Sequence, residues 1–247
     1  MEAKALAKGG KACKWSIRLT FIGLSIFLIS FLGPSLGLSP MIAMLGITLT
    51  VLLCAIGAIV SIIGMIRSKG TSGGSSIPLT WLSMAIGISA IILTAININN
   101  SGGPSIHDIS TDLDNPPIFI EVAKLRTDSD NPVEYSGEKT ANLQRSAYPD
   151  IKTIVLSESI NSVYDEALDV ATKMGWEIVA SNKNLYRIEA TASTPFVGFK
   201  DDVVIRMKNE NNKTFVDIRS KSRLGSGDMG VNAKRIRTFR EKLLEVL

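Results

Sequence analysis

Three long apolar runs, none of which contains a charged residue, occupy the N-terminal part of the sequence. They extend over residues 19–38, 41–66 and 79–98. A helix of roughly 20 apolar residues crosses the hydrocarbon core of a bilayer. The pattern therefore predicts three transmembrane helices in a membrane anchor of residues 1–98, with the lipid bilayer as its partner.

Basic residues flank these runs unevenly. Five Lys or Arg precede the first run, and Arg67 and Lys69 follow the second, whereas residues 33–40 between them carry no charge. Because Lys and Arg near membrane spans stay on the cytoplasmic side, we expect a cytoplasmic N-terminus and, after three crossings, a periplasmic C-terminal part. The sequence thus predicts a multi-pass protein of the bacterial inner membrane. A cleaved signal peptide is the alternative for the first run.

Shorter periodic runs follow a stretch rich in Asn, Ser, Gly, Asp and Pro at residues 99–117, which we interpret as a linker. Apolar stripes at helical spacing cover residues 157–174 and 231–247, and strand-like runs cover residues 151–156, 176–180, 185–194, 203–208 and 214–223. This order predicts an α+β fold for residues 118–247, a two-layer domain with an antiparallel sheet and two helices on one face.

Polar side chains alternate with apolar ones along the predicted strands, so that one face of the sheet is charged. That face would carry Arg187, Glu189, Asp202, Arg206, Asp217, Arg219 and Arg223. One interpretation is a solvated face with cross-strand ion pairs. The other is a groove for an anionic or zwitterionic ligand, with Arg219 and Arg223 as contacts beside Asp202 and Asp217. A cover formed by Phe196 or by residues 118–150 would favour the groove.

His107, the one histidine of the chain, stands next to Asp108. The pair suggests a general base with an orienting carboxylate, but no nucleophile can be assigned to it, and a structural role in a turn is the competing interpretation. Asp108, Asp112 and Asp114 offer oxygen ligands without the spacing of a calcium-binding loop. The sequence therefore predicts no metal and no cofactor, and His107 and Asp108 remain candidate ligand contacts.

The distribution of charge excludes two classes of function. Residues 99–247 contain 20 basic and 22 acidic side chains, so the basic balance of the whole chain comes from the segments beside the membrane. This argues against a nucleic-acid-binding protein. The predicted spans contain no ionisable residue after Arg18, which argues against a transporter or pump.

The stretch GSGDMG at residues 225–230 matches the G-x-G-x-x-G pattern of dinucleotide-binding turns. That fold needs a second parallel strand after the helix, and the 17 residues after Gly230 suffice for a helix alone. We therefore predict a connector between the last strand and the last helix, with Asp228 or Asn232 capping the helix. In that helix, Arg240 is expected to pair with a sheet carboxylate such as Asp217.

Several motifs, taken together, resemble an uncharacterised bacterial family, DUF1499. They are IHDISTD at residues 106–112 followed by NPP at 115–117, YPD at 148–150, GFKDDV at 198–203, DIRSKSRLG at 217–225 and NAKRI at 232–236. The resemblance covers about residues 105–247, and it implies that some members carry this domain behind membrane spans. It implies no activity, substrate or catalytic residue.

The leading hypothesis from the sequence is a non-enzymatic periplasmic domain on an inner-membrane anchor. It would bind a membrane or periplasmic protein, or a small anionic ligand, in envelope maintenance. The alternative hypothesis is a periplasmic hydrolase that acts on an envelope substrate through His107 and nearby carboxylates.

Overall fold

Three helices form the N-terminal unit of the protein: α1 (Glu2–Leu32), α2 (Pro40–Ser68) and α3 (Ile77–Asn100). A short 3-10 helix, Gly33–Leu36, joins the first two. The computed structural model describes residues 2–68, 77–100, 103–194 and 197–247, so the predicted loop after α2 and Phe196 lie outside the described residues. The chain divides into two units, Met1–Asn100 with Phe196–Gly198, and Ser101–Pro195 with Phe199–Leu247.

Two helices of the N-terminal unit are long and apolar enough to cross a membrane. The qualifying segments are Lys11–Leu36, of 26 residues, and Pro40–Arg67, of 28 residues. The described apolar stretch of α3, Leu79–Leu93, is shorter than the other two. The structure therefore supports two candidate membrane spans where the sequence analysis predicted three.

Small residues of α2 lie where the helices of this unit approach one another. A side chain added at Gly46 would collide with Ser30 of α1, and one added at Gly57 would crowd Thr20. Thr20 in turn makes a hydroxyl hydrogen bond of 2.6 Å with Ser83 of α3. Close packing on small residues, with hydroxyl bonds between helices, is typical of helices in an apolar medium, where no hydrophobic effect holds them together.

The C-terminal unit contains both helices and strands. Its described strands are β1 (Asp108–Ser110), β2 (Ile154–Leu156), β3 (Glu177–Asn182), β4 (Arg187–Ser193), β5 (Lys200–Glu210) and β6 (Lys213–Ser222), and its helices are α4 (Glu138–Ala147), α5 (Ile160–Lys173) and α6 (Val231–Val246). The strand order is β1-β6-β5-β4-β3, with β2 also paired to β6, and every pairing is antiparallel. The α+β class and the antiparallel sheet are thereby confirmed.

One large core cluster joins the apolar stripes of α5 and α6 to side chains of the sheet. Val163 and Ala167 of α5, Phe239 of α6 and Ile205 and Ile218 of the sheet all belong to this cluster and are buried. Residues four apart on a helix and two apart on a strand fall on one side of their element, which is why both patterns were visible in the sequence. The core therefore occupies the apolar side of the sheet and leaves the charged side to other contacts.

The predicted linker is partly wrong, because its second half belongs to the folded domain. Asp108, Ile109 and Ser110 form β1 and pair with Lys221, Ser220 and Arg219 of β6. Ile109 is fully buried in the core. A strand of three residues is too short to show alternation, so the polar composition of its surroundings dominated the prediction.

The GSGDMG stretch connects β6 to α6, as predicted. Gly225 and Gly230 have φ angles of 89° and 80°, in the left-handed region that glycine adopts without a steric penalty. The Asp228 carboxylate accepts hydrogen bonds from the backbone N–H groups of Gly230 at 2.9 Å and Asn232 at 2.7 Å. Asp228 thus satisfies donors at the start of the helix that have no partner within it.

Candidate functional site

Residues 117–135, hereafter the cover segment, lie over the charged face of the sheet. Phe119 and Val122 of this segment form a second, smaller core cluster with Val204 of β5. Val122 also begins a short 3-10 helix, Val122–Leu125. The charged side chains of β4, β5 and β6 are therefore enclosed between the sheet and the cover segment, and we call them the polar layer.

Asp108 and Arg219 form a fully enclosed ion pair of the polar layer. Arg219 donates from Nε to Asp108 Oδ1 at 2.8 Å and from Nη2 to Oδ2 at 2.9 Å. Its remaining bonds go to the cover segment, from Nη1 to the Pro117 carbonyl at 3.1 Å and from Nη2 to the Val133 carbonyl at 2.9 Å. The side chains of Arg219 and Asp108 are 2% and 0% exposed. Every terminal nitrogen of this guanidinium therefore already has an acceptor within the protein.

Lys221 is a second cation on the same carboxylate. Its Nζ lies 3.1 Å from Asp108 Oδ2 and donates to the Glu134 carbonyl of the cover segment at 2.5 Å. Burial lowers the pKa of Lys221 from its usual value, and the Asp108 charge opposes that shift. One buried carboxylate thus pairs with two buried cations, and carbonyl oxygens of the cover segment accept a further hydrogen bond from Lys221 and two from Arg219.

Aromatic rings of the cover segment complete the surroundings of Arg219. The guanidinium carbon lies 4.7 Å from the centre of the Phe119 ring and 5.4 Å from that of the Tyr135 ring. A desolvated cation over an aromatic face gains from the negative potential of the ring. The rings therefore hold the cover segment over the charge that it buries.

Asp202 is the centre of a second group of charges. Its carboxylate accepts from Arg223 at 2.8 Å and from Arg126 of the cover segment at 2.7 Å. Arg223 also donates to the Thr191 hydroxyl at 3.1 Å and to the Leu125 carbonyl at 3.4 Å. The arginine that the sequence offered as a ligand contact is therefore bound to Asp202 and to the cover segment.

Glu189 holds the start of the 3-10 helix of the cover segment. Its carboxylate accepts from the backbone N–H groups of Ile120, Glu121 and Val122 at 2.8–3.1 Å. It also accepts from Arg187 Nε at 2.7 Å. A carboxylate that receives several N–H donors replaces the water that these groups would otherwise bind.

Arg206 and Asp217 occupy the end of the polar layer near β2. Arg206 Nη2 donates to Asp217 Oδ2 at 2.8 Å and to Asp112 Oδ2 at 2.9 Å. Thr153 donates to the other oxygen of Asp217 at 2.6 Å. Asp217 is therefore bound to Arg206 of β5 and to Thr153. The predicted pair with Arg240 is wrong, since the Arg240 side chain donates to the Asp150 carbonyl at 3.4 Å.

Of the two interpretations of the charged face, the structure contradicts the solvated one, because the cover segment lies over it, as the groove interpretation required. Asp108, Asp202, Asp217, Arg219 and Arg223 are all buried, and internal partners occupy their charged groups. The alternation of the strands placed these side chains on one face, as the sequence analysis expected. In this conformation, however, neither arginine presents a free donor to an open groove.

The His107 ring contacts the loop after β6. Its Nδ1 is 3.4 Å from the Ser226 carbonyl, and its own carbonyl accepts from the backbone N–H of Ser222 at 2.9 Å. His107 lines none of the three clefts described in the C-terminal unit. Among the described residues, no group of three His, Cys, Asp or Glu side chains is arranged to hold a metal ion.

An open cleft of about 540 Å³ borders the polar layer, and we call it the Asp112 cleft. It is lined by Thr111, Asp112, Leu113, Asp114, Arg145, Tyr148, Pro149, Ile151, Lys152 and Thr153. The loop after β1 contributes one wall, and α4 with the segment before β2 contributes the other. Asp112 shapes the first wall, because its Oδ1 accepts from the backbone N–H groups of Asp114 and Asn115.

Charges of both signs meet in the Asp112 cleft. Arg145 donates to Asp114 at 3.2 Å and to Glu138 at 2.7 Å, while the Asp114 side chain is 93% exposed. Lys152 is exposed and makes no ion pair with any described residue. The lining therefore offers one exposed cation, Lys152, and one exposed carboxylate, Asp114, and a ligand can reach both.

The sequence analysis missed several residues of these groups. Lys221 lies two residues after Arg219 on β6, so the strand pattern was sufficient to place both side chains on the same face of the sheet. Arg126, Arg145 and Lys152 lie in segments without strand periodicity. Only the fold brings these three side chains to the sheet or the cleft, and no local pattern marks them.

The comparison with protein families agrees with the motifs of the sequence. No curated protein matches the chain. A family profile described as "Protein of unknown function (DUF1499)" matches residues 108–243, from β1 to the last turns of α6. Because the match covers more than half of the 247 residues, the chain belongs to the DUF1499 family.

Proposed function

We propose that the protein is a membrane-anchored, non-enzymatic binding protein of the bacterial inner membrane, with its C-terminal domain in the periplasm. The ligand is a small zwitterionic or anionic molecule held in the Asp112 cleft, and a role in envelope maintenance is consistent with that location. The sheet would carry α5 and α6 together on its apolar face.

Three membrane spans are part of the proposal. Two helices meet the length and hydropathy expected of a span, and α3 contains 24 residues, which exceeds the roughly 20 that a bilayer requires. The basic residues in the first half of α1, ahead of its apolar stretch, and Arg67 in the last turn of α2 favour a cytoplasmic N-terminus. Three crossings then lead to the periplasm. A C-terminal alkaline phosphatase fusion should be active, and an expressed but inactive fusion would reverse this topology.

The observation that carries the binding function is the concave Asp112 cleft with reachable charges of both signs. Lys152 suits a carboxylate or phosphate group, and Asp114 suits an ammonium group, since opposite charges within hydrogen-bond reach form the stronger bonds. A volume of about 540 Å³ is in the range of small-molecule sites. The polar layer contributes by fixing Asp112 and Thr153 through Arg206 and Asp217.

Thermal unfolding of the detergent-solubilised chain tests the proposal with a panel of amino acids, dicarboxylates, phosphoethanolamine and sugar phosphates. A compound present at 100 times its Kd stabilises by about 2.7 kcal/mol. That gain raises the Tm of a domain of this size by roughly 5–10 °C. Lys152→Ala and Asp114→Ala should abolish the shift, whereas Lys173→Ala, on the exposed face of α5, should retain it. A panel without any shift, or a shift that both cleft variants retain, would refute the assignment.

A further inference from the structure

The outer edge of β3 is an open strand edge. β3 stands last in the strand order and pairs through residues Glu177–Asn182 with β4 alone among the described strands. Its sequence, EIVASN, contains neither Lys nor Pro, the residues that commonly protect such edges from pairing. The outward backbone donors and acceptors of β3 are therefore open, with a register shift between Ile178 and Ala180 that interrupts their regular spacing.

A cleft of about 280 Å³ lies beside this edge, on the side of the cover segment, and we call it the Ile120 cleft. It is lined by Ile120, Glu121, Ala180, Ser181, Asn182, Leu185, Arg187 and Glu189. Leu185 is 64% exposed and Ile120 is 42% exposed. Large apolar side chains at the mouth of a cleft next to an open strand edge are suited to an incoming apolar side chain.

An exposed acidic residue lies further along the same side of β3. Glu177 pairs with Thr191 and Ala180 pairs with Glu189, and both partners point into the polar layer. The side chains of Glu177 and Ala180 therefore share the face that bears the cleft. Glu177 makes no ion pair with any residue that the structure describes.

We propose that the β3 edge binds an extended peptide segment of a partner protein as an added strand. The backbone of the peptide satisfies the open edge, an apolar side chain enters the Ile120 cleft, and a Lys or Arg two residues away meets Glu177. Strand addition of this kind takes its affinity from main-chain hydrogen bonds and its specificity from pockets for alternate side chains. The proposal does not depend on the Asp112 cleft, which lies on other elements.

The test uses a labelled peptide in which Lys, Thr, Val and Thr repeat, so that Lys and Val alternate on one face. Its binding to the full chain in detergent is followed by fluorescence anisotropy. A control peptide has Pro in place of every Thr, so it lacks half of the backbone N–H donors of the first peptide. We expect binding of the first peptide alone, together with slower hydrogen exchange of residues 177–182.

Variants distinguish the contacts. Glu177→Lys should weaken binding about two- to fivefold, the range of a cross-strand charge pair. Leu185→Ser should weaken it as well, whereas Lys173→Glu on α5 should leave it unchanged. Equal binding of both peptides, or unaltered exchange of β3, would overturn the proposal. Concentration-dependent dimers that protect β3 without peptide would also overturn it, in favour of a second copy of the chain at this edge.

Discussion

Replacing Arg219 by alanine is expected to destabilise the C-terminal domain by about 3–5 kcal/mol, the usual cost of removing one partner from a buried ion pair. The variant leaves Asp108 fully buried with Lys221 as its remaining cation, and it leaves the Pro117 and Val133 carbonyls without their donor. The loss of stability comes mainly from the cost of leaving these buried acceptors without a donor, and less from the strength of the Arg219–Asp108 pair itself.

Urea unfolding of the full chain measures this loss. Phe replacements at Trp15 and Trp81 leave the fluorescence of Trp176, which is buried and stacked on Phe239 at 5.5 Å, as the probe of the C-terminal domain. With a slope of about 2 kcal/mol per molar urea, the midpoint should fall by roughly 2 M. Lys173→Ala, which removes an exposed pair with Asp169, should leave the midpoint unchanged. A midpoint for Arg219→Ala within error of the wild type would refute the claim that the polar layer is structural.

Three further predictions concern other parts of the molecule. Burial raises the pKa of Tyr135 to about 12, so the folded state resists ionisation of this side chain. The free energy of unfolding should therefore be unaffected by Tyr135 below pH 10 and should fall as the pH rises from 10 towards 12. Absorbance titration of the wild type against Tyr135→Phe measures the pKa shift. Asp228→Ala should cost about 1 kcal/mol through the lost helix cap, measured by urea unfolding with Ser226→Ala as control. Gly87→Val should disrupt the anchor, because a side chain there collides with Cys54 and Ala58. Cysteine cross-linking of α2 to α3 should then fail, while Leu82→Ala, at an exposed position of α3, retains it.

Elements with a strong period were readable from the sequence. The strands β4 to β6 alternate over seven residues or more, and α5 repeats apolar residues at three and four positions, because one side of each element packs into a single core. The face shared by Arg219 and Arg223 followed from the same alternation. Asp228 was also readable as a cap, because a short acceptor beside a helix start has a fixed local role.

The environment of the charged face was not readable, because it depends on contacts far apart in the chain. The cover segment has no period, and its bonds to Arg219 and Lys221 join residues more than 80 positions apart. Its backbone carbonyls contribute as much as its side chains, and carbonyls leave no trace in the amino-acid pattern. For that reason the sequence showed which charges share a face and could not show that the chain itself covers them.

Hydrogen exchange of the cover segment tests the central claim most directly. If the polar layer is a closed structural unit, the backbone amides of Ile120, Glu121 and Val122, which donate to Glu189, should exchange as slowly as those of β5 and β6. Ligands of the Asp112 cleft should leave that exchange unchanged. Exchange of these three amides at the rate of an open loop, or protection that appears only when an anionic ligand is added, would contradict the account and restore the sheet face as a binding groove.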